Sequence, residues 1–357
     1  MTRRQVFDLP PIRVRVCEHQ LVSRICACGT VTAGSAPAMV NAPVSYGPRI
    51  QAVVTYLFMG QFLSKERTAQ AVGELLNIPV SSGSIAALTQ RSAEGLEDFR
   101  ALVAAAIAAA PVAHFDETGF RVAGKLHWLH SASTAQHSLI TCHPKRGREG
   151  MRDAGVLPIF TGTAVHDAWA PYDTFTGPGH ALCNAHLLRE LIAVIDYHQA
   201  EAKRGSWCWA RQVLDALMEL KRCVDAGQAP VTEEVMRRQR RYILDAAHLG
   251  RTTTQHSPPG KVGAKHRALA RRIHSRIDDY LRFAADRDVP FDNNAAEREI
   301  RMAKIRQKIS GSIRTFSGAE HFAALRSYLA TTTKNGIKAL DALTQLATGT
   351  PWTPETT

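Results

Sequence analysis

The chain has 357 residues, 45% of them hydrophobic and 21% charged, a balance that excludes a disordered protein and leaves room for two or three domains around buried cores. Its net charge of +12 points to a polyanionic partner, nucleic acid ahead of an acidic membrane surface. No apolar run approaches the roughly 18 residues of a membrane-spanning helix, and Met1-Thr2-Arg3-Arg4-Gln5 leads into no apolar stretch of the kind a secretory signal carries. Seven cysteines at scattered spacings fit a reducing, cytoplasmic setting better than a disulfide framework.

Residues 1–46 are short of helical periodicity. Within them Ile25-Cys26-Ala27-Cys28-Gly29 resembles one knuckle of a zinc ribbon, with Cys17 and His19 as the only neighbours able to complete a four-ligand Zn²⁺ site; plain thiols are the alternative. From 47 to 110 the pattern turns helical. Ile50, Val53, Val54, Leu57 and Phe58 make one apolar stripe, Ser64 opens a second helix, and Ser81 or Ser82 opens a third after the break at Asn77-Ile78-Pro79-Val80. Helix, short turn and helix outline either a helix-turn-helix for DNA or an ordinary helical hairpin.

Residues 111–183 read as strand, strand, strand, helix, strand, strand. The first strand ends at Asp116, with Glu117-Thr118-Gly119 as its turn; the predicted helix spans 146–157; the next strand, Thr163 to Asp167, also ends in an acid; and His180 to Cys183 is the last. Residues 184–289 are helical again, broken by a loop at Thr252 to Gly260 that is flanked by Arg237, Arg238, Arg240 and Arg241 on one side and further basic residues on the other. A solvated face and a phosphate-binding face are both open for these arginines. Residues 290–348 return to helices, and 349–357 form a tail.

The chemistry concentrates in three acids. Asp116 and Asp167 sit at strand ends, and Glu297 sits on the first turn of a helix that Asn294 caps. From Glu297, the residues Arg301, Lys304 and Lys308 recur at helical spacing and form a basic ridge. Carboxylates meeting this way can hold two Mg²⁺ or Mn²⁺ ions for phosphodiester chemistry. Each acid also has a purely structural alternative: Asp116 capping its turn, Asp167 capping a short helix at 168–172, and Glu297 completing a capping box with Asn294. His186 and Glu190, one helical turn apart, form a possible local pair. Arg314, in the loop from Ser310, is a further phosphate candidate.

His114-Phe115-Asp116-Glu117-Thr118-Gly119, His127-Trp128-Leu129, Val165-His166-Asp167-Ala168-Trp169, Cys183-Asn184-Ala185-His186-Leu187-Leu188-Arg189-Glu190 and Asp292-Asn293-Asn294-Ala295-Ala296-Glu297-Arg298 closely resemble, in order, the large transposase of the insertion sequence 66 family. The resemblance runs from about residue 4 to residue 352. It implies a mixed α/β fold: an RNase H-like mixed-sheet catalytic core, a helical N-terminal region, and a large helical insertion before the last acid. It further implies a DDE-type transposase that cleaves element ends and joins them to target DNA, with Asp116, Asp167 and Glu297 as the metal-binding triad. The implied partners are element-end and target DNA, accessory proteins of the same element, and further copies of the chain on DNA. Members of the family carry a leader and a first cysteine pair ahead of the Arg4-Gln5-Val6-Phe7 stretch; here only Cys26 and Cys28 remain. An N-terminally shortened chain that occupies element ends without cleaving them is therefore the competing expectation.

Overall fold

A computed structural model describes residues 3–10, 12–37, 40, 42–201, 207–252 and 260–355. Most of the loop expected between Thr252 and Gly260 lies outside these residues. The chain begins with an exposed segment that carries one small hairpin, β1 (Ser23–Ile25) and β2 (Val31–Ala33). Four helices follow: α1 (Pro48–Thr55), which runs on into a wide π turn, α2 (Lys65–Leu76), α3 (Ser82–Glu94) and α4 (Glu97–Ala108). The predicted serine caps are in place. Ser64 Oγ accepts the Arg67 N–H at 3.2 Å and Ser81 Oγ accepts the Ser84 N–H at 3.0 Å, each meeting a donor that the first helical turn leaves without a partner. Asn77 ends α2 in the left-handed conformation, which its short polar side chain tolerates.

A five-stranded mixed sheet follows, in the order β5-β4-β3-β6-β7. Its strands are β3 (Val112–Val122), β4 (Lys125–Ser133), β5 (Ser138–His143), β6 (Thr163–His166) and β7 (Gly179–Leu182). The first three form an antiparallel meander, and β6 and β7 add to β3 in parallel. A short helix, α5 (Arg148–Asp153), links the two halves and is shorter than the 146–157 predicted. The first strand is longer than predicted: Glu117-Thr118-Gly119 does not turn, but pairs with His130, Leu129 and Trp128 of β4. The turn comes at Ala123 and Gly124, both at positive φ. Polar, glycine-bearing composition suggested a break there; packing kept the strand going, because Glu117 and Thr118 are buried.

Five helices, α6 (Asn184–Glu201), α7 (Trp209–Asp225), α8 (Glu233–Thr252), α9 (Gly260–Ser275) and α10 (Ile277–Ala285), follow β7, and α11 (Asn294–Ser310), α12 (Phe316–Lys334) and α13 (Ala339–Ala347) complete the chain. Two apolar cores result. One joins α1–α4, α12 and α13 to the sheet through Ala113, Phe115, Leu129, Ile140 and Ala164. The other joins α6–α10 to Val165, Ala181 and Leu182. Buried apolar side chains on both faces are what a central parallel pair requires.

Helices close both edges of the sheet. On β5, Ser327 Oγ of α12 accepts the Ile140 N–H at 2.7 Å and Thr331 Oγ1 accepts the Ser138 N–H at 3.0 Å. On β7, Arg282 of α10 donates through Nε to the His180 carbonyl at 2.7 Å. Ser327 and Thr331 are wholly buried, so their hydroxyls act as backbone partners in the middle of an apolar interface. Ser327→Ala should cost about 1–3 kcal/mol, the penalty of stranding a buried N–H, read as a lower urea midpoint with an unchanged slope.

Candidate active site

The register of two strands brings the first two acids together. His114 pairs with Val165 in the parallel β3–β6 ladder, so two residues further along each strand Asp116 and Asp167 come level. Gly162 holds β6 at this depth: a Cβ there would meet the Ala110 and Pro111 carbonyl oxygens at 2.5 and 2.6 Å, so the backbones approach as closely as only glycine allows. The Thr163 N–H then bonds the Pro111 carbonyl at 2.8 Å. Each acid commits one oxygen to its own backbone. Asp116 Oδ1 accepts from the Glu117 N–H at 2.8 Å and Asp167 Oδ1 from the Trp169 N–H at 3.0 Å. Asp167 thus closes a local turn with one oxygen rather than capping the expected helix, since the 3₁₀ turn spans Ala170–Thr174 and has no side-chain cap.

The third acid arrives from far along the chain by way of Asn293. This side chain is almost fully buried. Its Nδ2 donates to the Phe115 carbonyl at 2.8 Å, and its Oδ1 lies 2.8 Å from His114 Nδ1. Burial pushes the His114 pKa below its usual range, so the imidazole is neutral, and Nδ1 carries the proton that Oδ1 accepts. Asn293, not Asn294, is the residue before α11, and its side chain caps no helix donor. The predicted Asn294 cap fails because Asn294 is already the first residue of α11; Asn293, at the cap position, is engaged by β3, and Asp292 serves locally, its Oδ1 accepting the Asn294 N–H at 3.0 Å. Glu297 completes no capping box. Its Oε1 has no hydrogen-bond partner, and the basic side-chain nitrogens facing it are His186 Nδ1 at 3.5 Å and Arg189 Nη2 at 3.6 Å.

Asp116 responds to the acids around it. Burial, then the charge of Glu117, and then those of Asp167 and Glu297 push the Asp116 carboxyl up to about 7, against the Glu117 N–H that holds it down. A buried acid beside like charges is unfavourable without a cation, and such sites cluster where function is.

Glu117 and Arg146 join the acids without having been singled out in the sequence. Glu117, buried on β3, is held by Arg146 Nη2 at 2.7 Å and by the Tyr172 hydroxyl at 2.6 Å. The Arg146 guanidinium in turn stacks over Trp169 at 3.8 Å. Glu117 was visible only as a turn residue. The His186–Glu190 pair does not form: Glu190 pairs with Arg272 of α9, leaving His186 to face Glu297.

The family model described as "Transposase IS66 family" matches residues 43–321, a span that takes in all three acids. The chain belongs to the IS66 transposase family. No curated protein matches it. For a member of this family, DNA is the substrate, and the mixed α/β sheet flanked by helices is consistent with a DDE transposase-type core.

Of the basic residues, Arg301, Lys304 and Lys308 are all exposed along α11, downstream of Glu297. Arg314 is exposed in the loop before α12, beside Lys65 and Gln90 in a cleft against α2 and α3. On α8, Arg240 is tied to Asp278 of α10 at 3.0 Å, while Arg237 and Arg241 face Glu233 and Asp245 at 3.9 and 3.7 Å; Arg238 is exposed. Cys17, Cys26 and Cys28 are exposed free thiols, and with His19 they form no three-ligand group among the described residues. No helix among the described residues is long and apolar enough to cross a membrane.

Proposed function

We propose that the protein cleaves DNA at the ends of an insertion element and joins them to target DNA, with Asp116, Asp167 and Glu297 holding two Mg²⁺ or Mn²⁺ ions. One observation carries this reading: the half-buried Asp116 carboxyl is raised to about 7 by burial, by the charge of Glu117 and, in smaller part, by the charges of Asp167 and Glu297. The donor set fits the ions, being all carboxylate oxygen, with one oxygen of Glu297 lacking any hydrogen bond. Bound there, the ions supply a deprotonated hydroxyl nucleophile and stabilisation of the leaving oxygen.

The chain's own residues do the rest. The β3–β6 register and the Asn293 bonds fix the three acids on rigid elements. Arg146, stacked on Trp169 and paired with Glu117, keeps a fourth buried acid neutralised beside them. Arg301, Lys304, Lys308 and Arg314 take the phosphates of the strand being transferred, with Arg238 as an outlying contact. Further copies of the chain and accessory proteins of the same element complete the assembly.

The test is nicking and joining of element-end DNA in Mg²⁺, with and without the accessory proteins. Protection of end DNA with no cleavage in Mg²⁺ or Mn²⁺ would make the chain an end-occupying binder instead. Lys304→Ala and Lys308→Ala should each weaken binding uniformly across sequences and lower the salt slope of log Kd by about 1, as measured by fluorescence anisotropy over a salt series.

A further inference from the structure

A second set of ligand atoms flanks the acid cluster. Cys183 immediately precedes α6, His186 lies on the first turn of α6, and Glu297 lies on the first turn of α11. The Cys183 sulfur, an imidazole nitrogen of His186 and a carboxylate oxygen of Glu297 all lie within 4.8 Å of one another. Neither His186 Nδ1 nor Glu297 Oε1 has a hydrogen-bond partner, although they stand 3.5 Å apart.

That spacing is the one a small tetrahedral cation imposes. Metal–ligand distances of about 2.0–2.3 Å place neighbouring ligand atoms roughly 3.3–3.8 Å apart. His186 and Glu297 already meet this condition, and Cys183 has to close by no more than about an ångström. Main-chain donors face the sulfur. It accepts the Asn293 N–H at 3.1 Å and faces the Ala185 and His186 N–H groups at the start of α6. Arg189 Nη2, at 3.6 Å from Glu297 Oε1, is the charge that must give way, and its side chain is 62% exposed.

Sulfur, imidazole and carboxylate together suit a softer ion than three carboxylates do. We propose that Cys183, His186 and Glu297 bind a thiophilic divalent cation, Zn²⁺ first, at a site separate from Asp116 and Asp167. A regulatory consequence follows that rests on Glu297 also serving the catalytic pair: Zn²⁺ engages the acid that Mg²⁺ needs, and so holds the enzyme inactive.

The test uses the full chain with Cys17, Cys26 and Cys28 changed to Ser, which removes the exposed thiols. Cd²⁺ is titrated in and the ultraviolet sulfur-to-cadmium charge-transfer band followed, with Zn²⁺ competing. One saturable band is expected, lost in Cys183→Ser and weakened at least about tenfold in affinity in His186→Ala. Cys183 is buried, so the half-exposed His186 supplies a second variant that does not depend on core packing, checked by its melting curve. No band in the starting chain, or a band that survives His186→Ala at unchanged affinity, overturns the site. Binding is read without DNA, so loss of the catalytic reading would leave this result standing, and the reverse.

Discussion

Asp116→Asn is expected to lower end cleavage by at least about 10³-fold, the worth of several kcal/mol of metal-supplied stabilisation, and yet to melt higher than the parent above neutral pH when metal is absent. Asparagine keeps an Oδ1 to accept the Glu117 N–H, so this local bond survives. What it loses is the charge. The Asp116 carboxyl titrates near 7 in the folded chain and near 4 when unfolded, so between those values the folded state binds the extra proton. Its stabilising contribution is complete below about pH 4 and is lost as pH rises to about 7. At higher pH the folded protein carries an unfavourable buried charge, worth on the order of 1–4 kcal/mol. Asparagine never incurs it. Mg²⁺ should raise the melting temperature of the parent above pH 7 and leave that of the variant nearly unmoved. Melting curves from pH 4 to pH 9 in chelator and in Mg²⁺, run beside the cleavage assay, decide the matter. Normal cleavage by the variant, or a lower melting point at pH 8, would count against Asp116 as a ligand.

Asn293→Asp should be nearly as damaging, through position rather than charge transfer. The change is isosteric, but the Nδ2 donor to the Phe115 carbonyl is replaced by an oxygen that repels it. A carboxylate is also placed in an almost fully buried site beside the other acids. A stranded buried carbonyl and a buried charge each cost a few kcal/mol, so a loss of roughly 2–5 kcal/mol is expected. Asn293→Ala removes both bonds without adding charge and should lie at the lower end of that range. In both, α11 loses its tie to β3, and Glu297 its fixed distance from Asp116. Turnover should therefore fall more than DNA binding, because Arg301, Lys304 and Lys308 stay on their helix. Equilibrium unfolding, DNA affinity and single-turnover cleavage separate these effects. Unchanged turnover in a destabilised Asn293→Ala protein would reduce Asn293 to a packing residue.

The strand order and the helical insertion were legible because alternation and 3.6-residue periodicity are local properties. The serine caps of α2 and α3 were legible for the same reason: donor and acceptor lie three residues apart. The length of β3 was not. Glu117-Thr118-Gly119 has the composition of a turn, and what keeps it extended is Arg146, Tyr172 and the β4 pairing, none of them adjacent in sequence. Asn293 and Asn294 are indistinguishable as capping residues until a partner 179 positions away claims one of them. The acids themselves stood out because the sequence places each at the end of an element, although Asp116 proves to lie midway along β3, whereas the Cys183–His186–Glu297 grouping needs two helix starts to meet. Spacing within α6 suggested Glu190 as the partner of His186, and only the packing of α9 shows that Arg272 takes it instead.

The hydroxyls of Ser327 and Thr331 along β5, and Arg282 along β7, bear on assembly as well as on stability. An open outer strand lets a neighbouring polypeptide join a sheet through main-chain bonds, the cheapest route to a shared structure. Here Ser138 and Ile140 on one outer strand and His180 on the other already have their partners within the chain. A second copy or an accessory protein would have to displace α12 or α10 to extend this sheet. Any protein partner would thus be directed to the helical surfaces and loops, leaving the sheet beneath the acids unaltered.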